Sequence, residues 1–232
     1  MLLMTRMVLV GGLISWALVV AGGTEGEQLT GTITGRISVT TPPEAEMVSV
    51  TTDQIVCGQE VEERSTVVDR EGGVSNAVLI VKGLPWGDLT PPNPVINNSG
   101  CYFVPRVQVA KTRAELEVRS EDDTLHTTHA YDDRQRTLFN IALPIPGISI
   151  KRPLRRPGVV RIECDSHGWM RGWVYVSDEV GTVTATDGLF EFPAIPPGTY
   201  ELIVWHERYE GSSQQVTVTS GGMSEVNFRL QQ

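Results

Sequence analysis

The stretch Cys164-Asp165-Ser166-His167-Gly168-Trp169-Met170 places a thiol, an imidazole and a thioether at the spacing C-x2-H-x2-M. A thiolate and an imidazole are strong ligands for a soft or borderline metal ion, and a thioether is a weak ligand that favours copper. One loop can therefore supply three of the four ligands of a blue-copper centre, in which the fourth ligand is a second histidine. The remainder of the chain has to offer that histidine.

Two upstream histidines are candidates for the missing ligand. Both lie in Leu125-His-Thr-Thr-His-Ala130, as His126 and His129. A strand that pairs with the segment leading into Cys164 would bring such a remote element to the loop. The residues alone leave both histidines open.

Length and composition limit the classes of protein to consider. The chain has 232 residues, a net charge of -9 and 40% hydrophobic residues, which is typical of one large or two small globular domains. No basic stripe interleaved with aromatic residues is visible, so the sequence argues against a nucleic-acid partner.

The N-terminus has the pattern of an export signal. Arg6 is followed by an apolar run over residues 7–20 and by the small residues 21–23. The run is shorter than the roughly 20 residues of a spanning helix. We therefore predict a signal peptide over residues 1–23, a periplasmic or secreted protein, and membrane contact only through an uncleaved N-terminal segment.

The chain has three cysteines, an odd number for a protein in an oxidising compartment. Cys57 and Cys101 both lie in polar, turn-rich surroundings, and pairing them as a disulfide leaves Cys164 free. A free thiol in an exported protein needs a reason, and metal ligation supplies one. The alternative, a small buried apolar residue, is disfavoured by the neighbouring His167 and Met170.

Short alternating segments separated by turns rich in proline and glycine run along most of the chain, and no segment has helical periodicity. This pattern predicts an all-β sandwich. From residue 179 the segments become a small meander with an Asp187-Gly188 hairpin signal. A unit of this size is marginal as an independent core.

The ligand loop resembles that of a cupredoxin of the plastocyanin–azurin superfamily, in the short amicyanin-like form, because only two residues separate His167 from Met170. The segment Ser120-Glu-Asp-Asp-Thr-Leu-His126 is similar to the family's approach to its first ligand histidine, which favours His126 and leaves His129 as the alternative. The family often follows that histidine with an asparagine that braces the cysteine loop, whereas this chain has Thr127.

The resemblance covers about residues 95–178 and implies a Greek-key β-sandwich with one type 1 copper. The ligands that it implies are His126, Cys164, His167 and Met170. Trp169 and Trp173 are interpreted either as a hydrophobic shell around the metal or as plain core packing.

The C-terminal segment resembles a carboxypeptidase regulatory-like (transthyretin-like) β-sandwich. The matching stretches are Thr186-Asp-Gly-Leu-Phe190 and Pro196-Pro-Gly-Thr-Tyr200, and Gly31-Thr-Ile-Thr-Gly-Arg-Ile37 resembles the first strand of the same module. No catalytic residue is carried over. We predict a cupredoxin-like domain over residues 24–178 and the second module over residues 179–232, with strand 29–39 open to pairing with that module.

These patterns predict an exported type 1 copper protein for one-electron transfer or copper handling. Its expected partner is a redox protein, and no enzymatic activity is expected. The alternative is a structural or binding β-sandwich that keeps a cupredoxin scaffold without a redox function.

Overall fold

The computed structural model describes residues 29–44, 46–65 and 67–231, so the predicted signal peptide lies outside it. The described residues form strands, one helical turn α1 (Gln54–Cys57) and one 3-10 turn (Gly87–Leu89). The all-β prediction is confirmed. No helix in the described part of the chain is long and apolar enough to cross a membrane.

The strands, in chain order, are β1 (Gly31–Val39), β2 (Met47–Ser49), β3 (Glu60–Glu62), β4 (Val78–Pro85), β5 (Val95–Ser99), β6 (Tyr102–Val104), β7 (Val107–Lys111), β8 (Glu115–Ser120), β9 (His126–Tyr131), β10 (Thr137–Leu143), β11 (Ser149–Pro153), β12 (Gly158–Glu163), β13 (Arg171–Ser177), β14 (Glu179–Val183), β15 (Leu189–Ile195), β16 (Gly198–Trp205), β17 (Ser212–Val218), β18 (Met223–Glu225) and β19 (Phe228–Leu230).

The first sandwich is built from β5 to β13. Its two sheets have the strand orders β10-β9-β12-β13-β7 and β11-β8-β5-β6. Inward-facing residues of both sheets, such as Leu116, Ile162 and Val174, form one buried cluster. Each large aliphatic side chain buried in this way contributes on the order of 2 kcal/mol to stability.

The second sandwich combines strands from both ends of the described chain. Its sheets have the order β14-β4-β16-β17 and the order β15-β1-β18, with β19 also paired to β1. β1 alternates buried and partly buried residues along its whole length, and Ile33 and Ile37 lie in the shared core with Phe192 and Phe228. The first sandwich is thus inserted between β4 and β14.

This arrangement differs from the predicted domain boundaries. The pairing of strand 29–39 with the C-terminal module, which the sequence left open, is present as β1 against β15. β4, which the prediction placed in the cupredoxin-like domain of residues 24–178, instead pairs with β14 and β16. Residues 78–81 are buried on both faces, and such an apolar run predicts a central strand without identifying its neighbours.

The two sandwiches share an apolar interface. Val78 and Ile80 of β4 pack in one cluster with Trp173, Tyr175 and Trp205. The ring centroids of Trp173 and Trp205 are 5.5 Å apart in an edge-on arrangement. Trp173 therefore belongs to this interface, which excludes the interpretation of Trp173 as part of a metal shell.

A buried ion pair also joins the sandwiches. Arg106 Nη2 lies 2.7 Å from Glu207 Oε1, and the two side chains are only 9% and 5% exposed. Arg106 Nη1 also donates to the Arg171 carbonyl at 2.9 Å. Burial raises the pKa of the Glu207 carboxyl, and the charge of Arg106 opposes that rise.

Replacing Arg106 by alanine should strongly destabilise the protein, because it leaves the Glu207 carboxylate buried without its cation. We expect Arg106→Ala to lower the free energy of unfolding by about 3 kcal/mol in urea titrations. Lys82 forms a more exposed pair with Glu201, so Lys82→Ala should cost less than about 1 kcal/mol and is the matched control. Equal losses in both variants would contradict the structural role of the pair.

His206 should make stability depend on pH, because burial lowers its pKa from 6.5 to about 4. Its Nδ1 accepts a hydrogen bond from the Arg208 amide, which requires an unprotonated nitrogen. Between pH 6.5 and about 4 the unfolded chain binds a proton that the folded chain excludes, so stability should fall as the pH falls through this window. Over this window we expect the free energy of unfolding of His206→Gln to fall by about 3 kcal/mol less than that of the wild type. Urea titrations at several pH values measure the difference.

Candidate metal centre

The loop from Cys164 to Met170 joins β12 to β13 and is closed by its own backbone. The Cys164 amide donates to the Met170 carbonyl at 3.3 Å, and the Met170 amide donates to the His167 carbonyl at 2.9 Å. Cys164 and Met170 are 4% and 1% exposed. The backbone therefore holds both sulfur side chains at the base of the loop, in one buried cluster.

Sheet pairing brings His126 to this loop. β9 runs antiparallel to β12 with His129 opposite Glu163, so the preceding residues of β9 lie beside Cys164. Cys164 Sγ is 3.9 Å from His126 Nδ1 and 3.6 Å from His167 Nδ1. The two Nδ1 atoms are 3.1 Å apart, and both histidines are 0% exposed.

The tautomers of the two imidazoles follow from their outer partners. His126 Nε2 lies 2.9 Å from Asp122 Oδ2, and His167 Nε2 lies 3.0 Å from Asp53 Oδ2. Because a carboxylate only accepts hydrogen bonds, each Nε2 carries the hydrogen, and a ring in its neutral form has an unprotonated Nδ1. When both rings are neutral, two nitrogen lone pairs face each other beside a thiol.

This donor set fits a bound metal ion. Burial lowers the pKa of His126 below its usual range and the neighbouring His167 lowers it further, while Asp122 raises it. A proton is therefore disfavoured on His126. Three ligand atoms from His126, Cys164 and His167 lie within 4.8 Å of one another. Two imidazoles with a thiolate suit copper or zinc, and the thioether of Met170, in the same buried cluster as Cys164, favours copper.

His129, the alternative ligand, lies outside this cluster. Successive residues of a strand point to opposite faces, so residues three apart cannot share a face. His129 Nδ1 lies 3.0 Å from Asp165 Oδ1, and its Nε2 lies 2.9 Å from Thr137 Oγ1. The odd spacing between His126 and His129 is a sequence signal for this separation.

Thr127 braces the cysteine loop in the place where the resemblance led us to expect an asparagine. The Asp165 amide donates to Thr127 Oγ1 at 2.6 Å, and the Thr127 amide donates to Cys164 Sγ at 3.3 Å. A hydroxyl on β9 therefore tethers the residue after Cys164, and a backbone N–H fixes the position of the sulfur.

The sequence interpretation missed the two carboxylates that orient the histidines. Asp122 lies just upstream of His126, in the segment already similar to the family pattern, and it also accepts from the Cys101 amide at 2.8 Å. Asp53 lies in a polar segment without periodicity, and the only available signal was its closeness in sequence to Cys57. Such outer partners fix the orientation of metal-binding imidazoles.

The predicted disulfide between Cys57 and Cys101 is confirmed, and Cys164 is the free cysteine. The bond lies against the histidine cluster, with Cys57 Sγ 3.9 Å from His167 Nε2. Trp169 lies against the same histidine cluster. Its indole donates to the Cys101 carbonyl at 3.1 Å, and its ring centroid is 5.0 Å from that of His167.

Comparison with known proteins supports the resemblance of the C-terminal segment. Residues 174–231 match the carboxypeptidase regulatory-like domain. Curated relatives include probable rhamnogalacturonate lyase A of Neosartorya fischeri, 34% identical over 60 residues, and of Aspergillus clavatus, 36% identical over 60 residues. Each match covers 26% of this chain and 11% of the lyase.

Solved structures to which this chain is similar include copper proteins. A purple cupredoxin from Nitrosopumilus maritimus is 21% identical over 37% of this chain and all of its own, with a TM-score of 0.33. An amicyanin mutant is 12% identical over 43% of this chain and 98% of its own, with a TM-score of 0.34. A copper-containing nitrite reductase from Thermus scotoductus SA-01 is 19% identical over 39% of this chain and 23% of its own, with a TM-score of 0.32.

The hydroxyl of Thr127 should stabilise the ligand loop. We expect Thr127→Val, which keeps the shape of the side chain, to lower the free energy of unfolding by about 1 kcal/mol because the Asp165 amide loses its acceptor. Thr127→Ser keeps the hydroxyl and should lose less. Urea titrations of the metal-free proteins test this, and a serine variant as unstable as the valine variant would contradict it.

Proposed function

We propose that this chain is an exported type 1 copper-binding protein that serves one-electron transfer or copper handling outside the cytoplasm. One observation carries the proposal. The Nδ1 atoms of His126 and His167 converge with Cys164 Sγ in a buried cluster. Facing lone pairs are unfavourable in a pocket without a proton or a cation.

The proposed ligands are His126, Cys164 and His167, with Met170 as a weak fourth ligand. Bound copper would supply reversible one-electron oxidation and reduction at this site. The protein keeps the ligands in place through Asp122 and Asp53 on the imidazoles and through the closed backbone of the loop. Preformed ligands limit the rearrangement that a change of oxidation state requires.

Burial and hydrogen bonding adapt the pocket to this role. His126 and His167 are fully buried, so water has no open route to their inner nitrogens. The Thr127 amide donates to Cys164 Sγ, which holds the sulfur in place. Four side-chain ligands leave no open position for a substrate, so the proposal includes that the chain is not an enzyme and exchanges electrons with a redox protein.

The extracytoplasmic location belongs to the same proposal. It is supported by the signal pattern of residues 1–23 and by the Cys57–Cys101 disulfide, since disulfides persist in oxidising compartments.

Copper binding should give an intense visible thiolate charge-transfer band on adding Cu(II) to the purified protein. We expect one equivalent to bind and the band to disappear in Cys164→Ser. His126→Gly should lose or shift the band, because it removes a ligand. His129→Gly is the matched control on the other face of β9 and should keep the band.

A wild-type protein that stays colourless with Cu(II) would contradict the copper proposal and favour a structural or binding β-sandwich. Voltammetry separates the two copper roles. A reversible one-electron wave supports electron transfer, whereas tight Cu(I) binding without such a wave supports copper carriage.

A further inference from the structure

Residues 50–58, here named the cap, cover the outer side of the candidate metal centre. Asp53 holds His167 Nε2 at 3.0 Å, and Thr52 Oγ1 lies 3.5 Å from the Ser166 carbonyl. Asp165 and Gly168 of the ligand loop are exposed, yet His167 between them is 0% exposed. The cap and Trp169 together cover His167.

The cap is buried at its first residue, Val50, but its helical turn has little packing to hold it there. None of the four residues of α1 is buried, and Ile55 is fully exposed. An isolated helical turn is unstable in water, because its nucleation fixes several residues for one hydrogen bond. Beyond Val50, the position of the cap therefore depends on its polar contacts and on the disulfide at Cys57.

The far end of the disulfide is anchored to the ligand framework. Cys101 is fully buried in the turn between β5 and β6, and its amide donates to Asp122 Oδ2, the same oxygen that lies 2.9 Å from His126 Nε2. Its carbonyl accepts from Trp169 at 3.1 Å. Opening the disulfide would thus release the cap while leaving Cys101, Asp122 and His126 in the sandwich.

Two of the six non-glycine residues with positive φ in the described part of the chain lie at the contact points of the cap. Asp53 has a φ of 56° and Cys101 a φ of 60°, in the left-handed region. That conformation costs a non-glycine residue about 1 kcal/mol or more. Each strained residue makes a contact that holds the cap against the site, Asp53 to His167 and Cys101 to Cys57. Strain of this kind is kept where surrounding contacts impose it, commonly at functional sites.

We propose that the cap is a lock on the metal centre that a dithiol reductant opens. The proposal rests on the proposed copper function for its biological role, but the lock itself is a property of the metal-free chain. The dithiol gives two electrons and two protons to the Cys57–Cys101 disulfide, which becomes two thiols, and the dithiol becomes a disulfide. The freed cap then leaves His167 and Cys164 accessible to metal exchange.

Alkylation of Cys164 by iodoacetamide tests the lock without any metal. The chain has three cysteines, so Cys164 is the only free thiol in the wild type and the only cysteine in the Cys57→Ser/Cys101→Ser double variant. We expect mass spectrometry to show alkylation at least about tenfold faster in the double variant, since local opening controls access to a buried group. Equal rates in the two folded proteins would overturn the lock.

Asp53→Ala tests the same cap with the disulfide intact, which matters if the double variant fails to fold. Loss of the contact to His167 should accelerate alkylation, by less than loss of the disulfide. Glu60→Ala removes an exposed carboxylate just outside the cap and is the matched control. An Asp53→Ala rate equal to that of Glu60→Ala would overturn the part of the lock assigned to Asp53.

Copper release is the second measurement. Copper-loaded wild type should lose its thiolate band to excess EDTA at least about tenfold more slowly than the double variant, if opening limits release. Equal release rates would overturn the lock as a control on metal exchange. A wild type that never develops the band would overturn the copper function, and the alkylation rates would still decide whether the cap is a lock.

Discussion

The facing nitrogens of His126 and His167 are the constraint on which the site depends. Their Nδ1 atoms are 3.1 Å apart because Asp122 and Asp53 hold the opposite edges of the rings. Between two neutral rings this contact of lone pairs is unfavourable, and burial disfavours a proton on His126. Such a pair persists only when the surrounding structure imposes it, and it is relieved when a cation lies between the two nitrogens. With both rings neutral, the site would lower the stability of the metal-free protein while it keeps the ligands in place for a cation.

The inserted topology explains how the rest of the fold keeps the two histidines in this unfavourable contact. The first sandwich starts and ends beside the second one, because β4 and β14 are paired neighbours. Its strand β13, which leaves the ligand loop, packs through Trp173 onto Trp205 of the second sandwich. Arg106 then links Glu207 to the carbonyl of Arg171, the residue after Met170. The second sandwich thus restrains the C-terminal end of the ligand loop, while the disulfide restrains its outer side.

Much of this was predictable from local sequence. The spacing of Cys164, His167 and Met170 identified the loop, and alternation identified an all-β chain, because both are properties of neighbouring residues. The partners of β4 were not predictable, since an apolar run records burial and not its neighbours. Asp53 could not be found for a related reason. Its role depends on a contact with His167, which is 114 residues away in sequence, and a polar segment carries no trace of that contact.

The choice between His126 and His129 shows how a local rule can settle a distant contact. The pairing of His129 with Glu163 sets the register of β9 against β12, and the alternation of a strand then turns His126 toward the core and His129 outward. Outward, His129 meets Asp165, Tyr131 and Thr137 in a polar cluster that satisfies both ring nitrogens. The odd spacing places the two residues on opposite faces of β9, and the register decides that His126 is the one that faces the core.

The extent to which the ligands are covered distinguishes the two proposed copper roles, electron transfer and metal delivery. Electron exchange requires no movement of the ligands, so a closed pocket permits it while retaining the metal. Metal delivery requires that the ligands become reachable, and His167 and Cys164 are 0% and 4% exposed. Under the proposed copper function, a cap in place would retain a metal that changes oxidation state. A released cap would turn the same ligands into an exchangeable site, so under that proposal the state of one disulfide would decide which role the chain performs.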